Sequence, residues 1–231
     1  MKYTHRELKN VIRQVAPALL ASLAVAATAY GVFNPEVDLS TLMANPQFNL
    51  PNQPTAPGNQ VGCPTGWTCG GSPAPGGTAY VPTAAQYPGG VPGGVLSVGQ
   101  CPTLVAGSCE LYQLNLGKYA ANTMYTVPLW VGTPLTVPIC GNVPGCTPGV
   151  TPAGKVARVT AYWLGNGNAQ LQATNIPVPA PGVWQLVPLF FTPTGSQVGQ
   201  TINFLIFAST GAGYEIVNFF ILPPPPPLPP I

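Results

Sequence analysis

Residues 156–164 read VARVTAYWL, and their side chains change character from one residue to the next. One side of an extended chain would carry Ala157, Val159, Ala161 and Trp163, and the other side would carry Arg158, Thr160 and Tyr162. Successive side chains of a strand point to opposite faces of a sheet. The alternation therefore predicts a β-strand with one buried face and one more open face.

The same two-residue period recurs along the second half of the chain. In AQLQATNI, at 169–176, unbroken alternation would place Leu171 and Ala173 on one face and Gln170 and Gln172 on the other. Further candidate strands are CELYQLNL (109–116), TMYTVPLWV (123–131), PLTVPI (134–139), VWQLVPLFF (183–191), TINFLIFAS (201–209) and YEIVNFFIL (214–222). About eight strands between 95 and 222, separated by turn residues, predict an all-β fold, an antiparallel β-sandwich or jelly roll.

Charged residues are scarce and unevenly distributed. They make up 5% of the 231 residues, against about 25% in an average soluble domain. After Asp38 the charged residues are Glu110, Lys118, Lys155, Arg158 and Glu215. Because nucleic-acid binding requires clustered cations, three scattered ones exclude a nucleic-acid partner.

Residues 15–33 form an uncharged apolar run, VAPALLASLAVAATAYGVF. A helix of this length spans roughly 28 Å, close to the thickness of a bilayer's hydrocarbon core. The preceding residues 1–14 are basic, which by the positive-inside rule orients the N-terminus toward the interior. The pattern predicts a transmembrane helix with the lipid bilayer as its partner and an extracytoplasmic or virion-exposed body.

A cleaved signal peptide is the alternative interpretation of the same run, since Ala27, Thr28 and Ala29 match a small-residue cleavage site. The run is longer than the apolar region of most signal peptides, which favours an anchor. Either interpretation delivers the body to the same side of the membrane.

Proline and glycine dominate two other segments. Residues 34–94 contain 
stretches such as GGSPAPGG and YPGGVPGG, which predict an extended arm or stalk. Residues 223–231 read PPPPPLPPI, a composition typical of polyproline II. The predicted organisation therefore runs from the basic segment and membrane helix through this arm to a β-sandwich domain at 95–222 and a polyproline tail.

The six cysteines fall into three short-range pairs: Cys63 with Cys69, Cys101 with Cys109, and Cys140 with Cys146. An even number in an exported chain indicates disulfides, although six cysteines allow 15 connectivities. Zinc binding is disfavoured because no CxxC motif is present and the only histidine is His5, before the apolar run. No metal or other cofactor is expected.

Catalytic residue types are rare in the body. Glu110 and Glu215 are its only carboxylates, and neither His nor Asp follows Asp38. A pair of carboxylates can serve a glycosidase, and a Ser-Lys dyad could use Lys118 or Lys155, but no motif supports either. The sequence therefore predicts that the protein is not an enzyme.

Residues 156–222 resemble the second half of carbohydrate-binding-module or galactose-binding-like jelly rolls. The resemblance lies in AYWLGNGNAQLQ and in the strand pattern around Trp184, Phe191 and Thr192. It implies glycan binding by exposed aromatic rings, for which the candidates are Trp67, Trp130, Tyr162 and Tyr214. The calcium site of such modules is not expected here, because the body has no Asp.

The layout of membrane helix, arm and jelly roll resembles that of vertex, turret or minor capsid proteins of membrane-containing icosahedral viruses. This resemblance implies a structural protein that assembles with other protein subunits in a virion or cell-surface appendage. A carbohydrate-binding surface protein or adhesin is the alternative function.

Overall fold

Strands dominate the computed structural model, which describes residues 35–48, 60–72, 78–103, 108–136, 158–209 and 215–222. The strands in these residues are β1 (Glu36–Asp38), β2 (Gln60–Val61), β3 (Thr68–Ser72), β4 (Thr78–Tyr80), β5 (Val98–Thr103), β6 (Ser108–Gln113), β7 (Met124–Thr133), β8 (Arg158–Leu164), β9 (Gln170–Ile176), β10 (Val183–Phe191), β11 (Asn203–Ser209) and β12 (Glu215–Ile221). Short 3-10 turns lie at Leu39–Thr41, Pro92–Gly94, Asn166–Asn168 and Gly195–Gln197. The all-β prediction is confirmed.

The strands form two sheets. In the seven-stranded sheet, β7 pairs with β10 along one edge and with β1 and β12 along the other, and the sheet continues through β5, β4 and β2. The five-stranded sheet has the order β3-β6-β11-β8-β9. Among these pairs only β1 with β7 is parallel, so the described residues form a mostly antiparallel β-sandwich.

The core lies between the sheets, where the alternating strands bury one face each. Val159, Ala161 and Trp163 of β8 are at most 1% exposed, whereas Arg158 is exposed, as the alternation predicts. Trp163 of the five-stranded sheet stacks on Phe191 of the seven-stranded sheet with ring centroids 5.4 Å apart. Burying each such aromatic side chain stabilises the fold by about 1.5–3 kcal/mol.

A further layer covers part of the outer face of the seven-stranded sheet. Tyr87, in the connection between β4 and β5, is buried and stacks on Trp184 of β10 at 4.7 Å. Trp184 in turn contacts Phe220 of β12 edge to face at 5.0 Å. Aromatic side chains thus fill both faces of this sheet.

The structure differs from the sequence expectation for residues 34–94. Instead of an extended arm, the described parts of this stretch supply β1 to β4, which belong to both sheets. Phe48 and Tyr80 are fully buried. The strands are only 2 to 5 residues long, so Pro and Gly between them hide an alternation that needs more residues to be visible.

Two of the predicted segments, the membrane helix at 15–33 and the polyproline tail at 223–231, lie outside the described residues. Within the described ranges, no helix has the length and apolar character needed to cross a membrane. The described residues from Glu36 onward form one compact unit.

Cys63 and Cys69 form a disulfide with Cα atoms 5.7 Å apart. Cys109 is also disulfide-bonded. The side chain of Cys101, its predicted partner, lies outside what the structure describes, as do Cys140 and Cys146.

Candidate functional site

The outer face of the five-stranded sheet carries a groove built on two rows of side chains. In the first row, Tyr112 of β6 lies opposite Leu205 of β11, which lies opposite Tyr162 of β8. All three side chains share the outer face because the alternate residues, such as Trp163, fill the core. The two tyrosines are half-buried and stand on either side of Leu205.

The second row adds a carboxylate and another aromatic ring. Glu110 of β6 lies opposite Phe207 of β11, and both are half-buried. The Phe207 ring meets Tyr162 edge to face, with centroids 6.2 Å apart and planes at 82°. On the other side of Glu110, β3 presents Gly70, where a Cβ atom would approach Glu110 Oε2 to 2.5 Å. The glycine leaves room for the carboxylate.

The groove has a volume of about 280 Å³. Its walls are Glu110, Tyr112, Tyr162, Phe207, Asn168 and Gln170, and Leu164 and Leu205 complete its lining. Small-molecule pockets typically measure about 300–1,000 Å³. The groove lies just below this range in volume, and it combines apolar rings with a few polar groups, as ligand sites do.

Glu110 and Tyr112 are joined by a hydrogen bond. The Tyr112 hydroxyl donates to Glu110 Oε2 over 2.7 Å. Burial, together with the hydrogen bond and the charge of Glu110, raises the pKa of Tyr112 to about 12. The hydroxyl therefore keeps its proton through the neutral range and holds the carboxylate in one place.

A β-bulge turns Gln170 into the groove. Tyr162 lies opposite Ala173 and Trp163 opposite Gln172, but Leu164 lies opposite Gln170, so one residue of β9 is extra. Bulges of this kind redirect side chains. Without it, Gln170 would share the face of Gln172, whereas the bulge places it beside Leu164 on the groove.

Asn168 reaches the groove from the loop between β8 and β9. It adopts a left-handed backbone conformation with φ of 61°, which asparagine tolerates better than most residues. Asn203 of β11 fixes this loop, because its Nδ2 donates to Asn168 Oδ1 at 3.0 Å and to the Gly165 carbonyl at 3.3 Å. The amide at the groove's end thus sits on an anchored loop.

The four predicted ligand-stacking aromatics occupy different places. Tyr162 lies in the groove. Trp67 is 7% exposed, donates from Nε1 to the Asn45 carbonyl at 2.9 Å and stacks on a buried phenylalanine. Trp130 is half-buried on the other sheet against Phe220. Tyr214 lies outside the described residues.

The two candidate carboxylates belong to strands of different sheets. Glu110 is on the five-stranded sheet, whereas Glu215 is on β12 of the other sheet. Lys118 forms an isolated bridge with Thr201, and Lys155 lies outside the described residues. No group of three or more His, Cys, Asp and Glu residues within the described ranges could hold a metal ion.

Sequence reasoning missed Tyr112 and Phe207, and it treated Glu110 only as one half of a carboxylate pair. Alternation in CELYQLNL already places Glu110 and Tyr112 on one face. What the sequence lacked was the pairing of β6 with β11, which brings Phe207 beside them.

Searches against protein-family models and curated proteins return no match. Solved structures do match. The apo form of a cyclase from Fischerella sp. is 17% identical over 78% of this chain and 92% of its own, with a TM-score of 0.58. A Stig cyclase from Fischerella sp. TAU in complex with (3Z)-3-(1-methyl-2-pyrrolidinylidene)-3H-indole is 17% identical over 79% of this chain and 97% of its own, with a TM-score of 0.57. The carbohydrate-binding module TmCBM61 in complex with β-1,4-galactotriose is 12% identical over 69% and 90%, with a TM-score of 0.42.

The cyclase comparison contradicts the prediction that the protein is not an enzyme, because enzymes use this fold. The prediction was wrong in its reasoning as well. Scarcity of charged residues does not exclude acid–base chemistry, since a single positioned carboxylate such as Glu110 can transfer a proton. At 17% identity the likeness shows the fold alone and assigns no activity to this chain.

Proposed function

We propose that the groove on the five-stranded sheet binds a saccharide. The observation that carries the proposal is the arrangement of half-buried Tyr112, Tyr162 and Phe207 beside the polar groups of Glu110 and Asn168. Aromatic rings offer flat apolar faces to the C–H side of a sugar ring. The carboxylate accepts hydrogen bonds from hydroxyl groups, and the amide both donates and accepts them.

The resemblance of residues 156–222 to carbohydrate-binding-module jelly rolls supports the same proposal, because Tyr162 and Gln170 of the groove fall within that segment. The groove also needs little rearrangement to bind. Its rings stand on paired strands, and its loop is fixed by Asn203. Preorganised side chains lose less conformational freedom on binding.

Calorimetric titration with a panel of di- and trisaccharides that includes neutral and amine-bearing sugars tests the proposal. We expect Tyr162→Ala to weaken binding of any saccharide that the wild type recognises by about ten-fold or more, because it removes one of the three aromatic rings of the groove. Phe190→Ala is the matched control, since Phe190 is an aromatic side chain that is 53% exposed on β10 of the other sheet. Equal losses in both variants, or no binding by the wild type, would contradict the proposal.

Proton-transfer catalysis in the same groove is a second candidate function. The Glu110 carboxylate, held by the Tyr112 hydroxyl at 2.7 Å, is the observation that favours it. NMR spectroscopy of each bound saccharide after incubation, with wild type and with Glu110→Gln, tests it, because it detects isomers of equal mass as well as cleavage products. Product formed by the wild type but not by the variant is expected, and unchanged saccharide in both samples would argue against catalysis.

We also propose that residues 15–33 anchor the body on the outer side of a membrane, where it contacts other subunits. The support is the basic segment before the apolar run and the near absence of charge after it. Nothing in the fold or the comparisons supports the capsid interpretation. Mass determination of the N-terminus of the native protein in a membrane fraction tests the anchor, because cleavage near Ala29 would exclude it.

A further inference from the structure

We propose that the preferred ligand of the groove is a saccharide carrying a protonated amine. This inference rests on the proposed saccharide binding and adds the charge of the ligand. It starts from Glu110, which places a carboxylate among half-buried aromatic rings in a chain that has few other charges.

The described cations do not neutralise Glu110. Arg158 lies opposite Ser209, two strands away from β6, and its guanidinium contacts Asn175 at 3.5 Å. The backbone of Lys118 forms an isolated β-bridge with Thr201. Thr201 precedes Phe207, the residue opposite Glu110, by six residues. Six residues of extended chain span about 20 Å. Within the described part of the chain, the groove therefore keeps a negative charge.

Hydrogen bonding leaves part of the carboxylate for a ligand. Among the described residues, the Tyr112 hydroxyl is the donor to Glu110, and it uses Oε2. An ionised carboxylate offers about four lone-pair sites on its two oxygens. An ammonium group has three N–H donors and forms short, strong hydrogen bonds to a carboxylate.

The rings around Glu110 favour a cation as well. Phe207 is the residue directly opposite Glu110, and Tyr162 meets Phe207 edge to face. The face of an aromatic ring carries negative electrostatic potential and attracts a cation within about 6 Å. A neutral sugar would use the rings, the amides and a hydroxyl hydrogen bond to Glu110, whereas a protonated amine adds the attraction between two opposite charges.

The test measures the binding of three sets of oligosaccharides of equal length to the full-length protein. The sets are glucosamine and galactosamine oligomers, their N-acetylated forms, and the matching neutral glucose and galactose oligomers. Calorimetry is run at a pH where the amines are protonated. We expect the amino sugars to bind at least about ten-fold more tightly than the N-acetylated and the neutral oligomers. This preference should weaken as the salt concentration rises.

Glu110→Gln is the decisive variant, because glutamine keeps the shape and one oxygen that can accept from Tyr112, while it removes the charge and replaces the second oxygen by an NH2 donor. We expect the affinity ratio of amino to N-acetylated sugar to fall to about one. Circular dichroism and thermal unfolding check that the variant is folded. If the wild type binds all three sets equally, the amine preference is wrong while saccharide binding stands. If no set binds, both proposals fail.

Discussion

The Asn218 side chain donates a hydrogen bond from Nδ2 to the Tyr87 hydroxyl over 2.9 Å, linking residues 131 positions apart. Asn218 is fully buried on β12, and Tyr87 is 1% exposed in the layer that covers this sheet. A buried amide without a partner loses its interaction with water and gains nothing in return. This bond therefore fixes the covering layer on the outer face of the seven-stranded sheet.

Tyr87→Phe should destabilise the protein by about 1–3 kcal/mol, because it leaves the buried Asn218 donor without its acceptor. The same substitution in an Asn218→Ala background should cost less, since no amide remains to be orphaned. Urea unfolding of the two single variants and the double variant measures the coupling. Strict additivity of the two single changes would show that the hydrogen bond contributes nothing.

Gly132 permits the close packing of Trp184 against β7. A Cβ atom at Gly132 would lie 2.5 Å from Trp184 Cε3 and 2.6 Å from Cδ2. Gly132→Ala should therefore cost about 1–3 kcal/mol through overpacking. Gly89→Ala is the matched control, because nothing lies within 4 Å of a Cβ there, and it should change the free energy of unfolding by less than about 0.5 kcal/mol. Equal unfolding midpoints for the two variants would contradict this account.

The longer strands could be predicted from the sequence because their alternation is set by burial. In β8, Val159 and Trp163 are buried and Arg158 is exposed, as the pattern indicates. The short strands β1 to β4 could not be predicted, because they are 2 to 5 residues long and lie between Pro and Gly turns. Their place in the sheets depends on pairing with distant strands.

The groove could be predicted only in part for the same reason. Tyr162 was a candidate because it lies on the polar side of an alternating strand. Simple alternation puts Gln170 and Gln172 on one face of β9. The bulge inserts one extra residue between these two positions, so that Gln170 lies on the opposite face from Gln172. Glu110 and Phe207 meet through strand pairing between β6 and β11, which no local pattern specifies.

Stability should change little from neutral to strongly acidic pH. From Glu36 onward the sequence contains four carboxylates, Glu36, Asp38, Glu110 and Glu215. Acid unfolding acts mostly through native carboxylates that become protonated, so little can titrate in the body. The measurement is the thermal unfolding midpoint between about pH 7 and about pH 3. A midpoint that drops steeply below about pH 4 would falsify this prediction.

Alkaline pH should destabilise the protein. Burial raises the pKa of Tyr80 to about 12 and raises that of Tyr87 well above its ordinary value. Between about pH 10 and pH 12 the unfolded chain has lost these protons while the folded chain keeps them, so the stability present below about pH 10 is lost as pH rises. Tyr80→Phe should reduce the slope of unfolding free energy against pH in this window by up to about 1.4 kcal/mol per pH unit. Urea unfolding at several pH values measures it. Below about pH 9 the curves of wild type and variant should run parallel, and parallel curves up to pH 12 would show that Tyr80 is not the source.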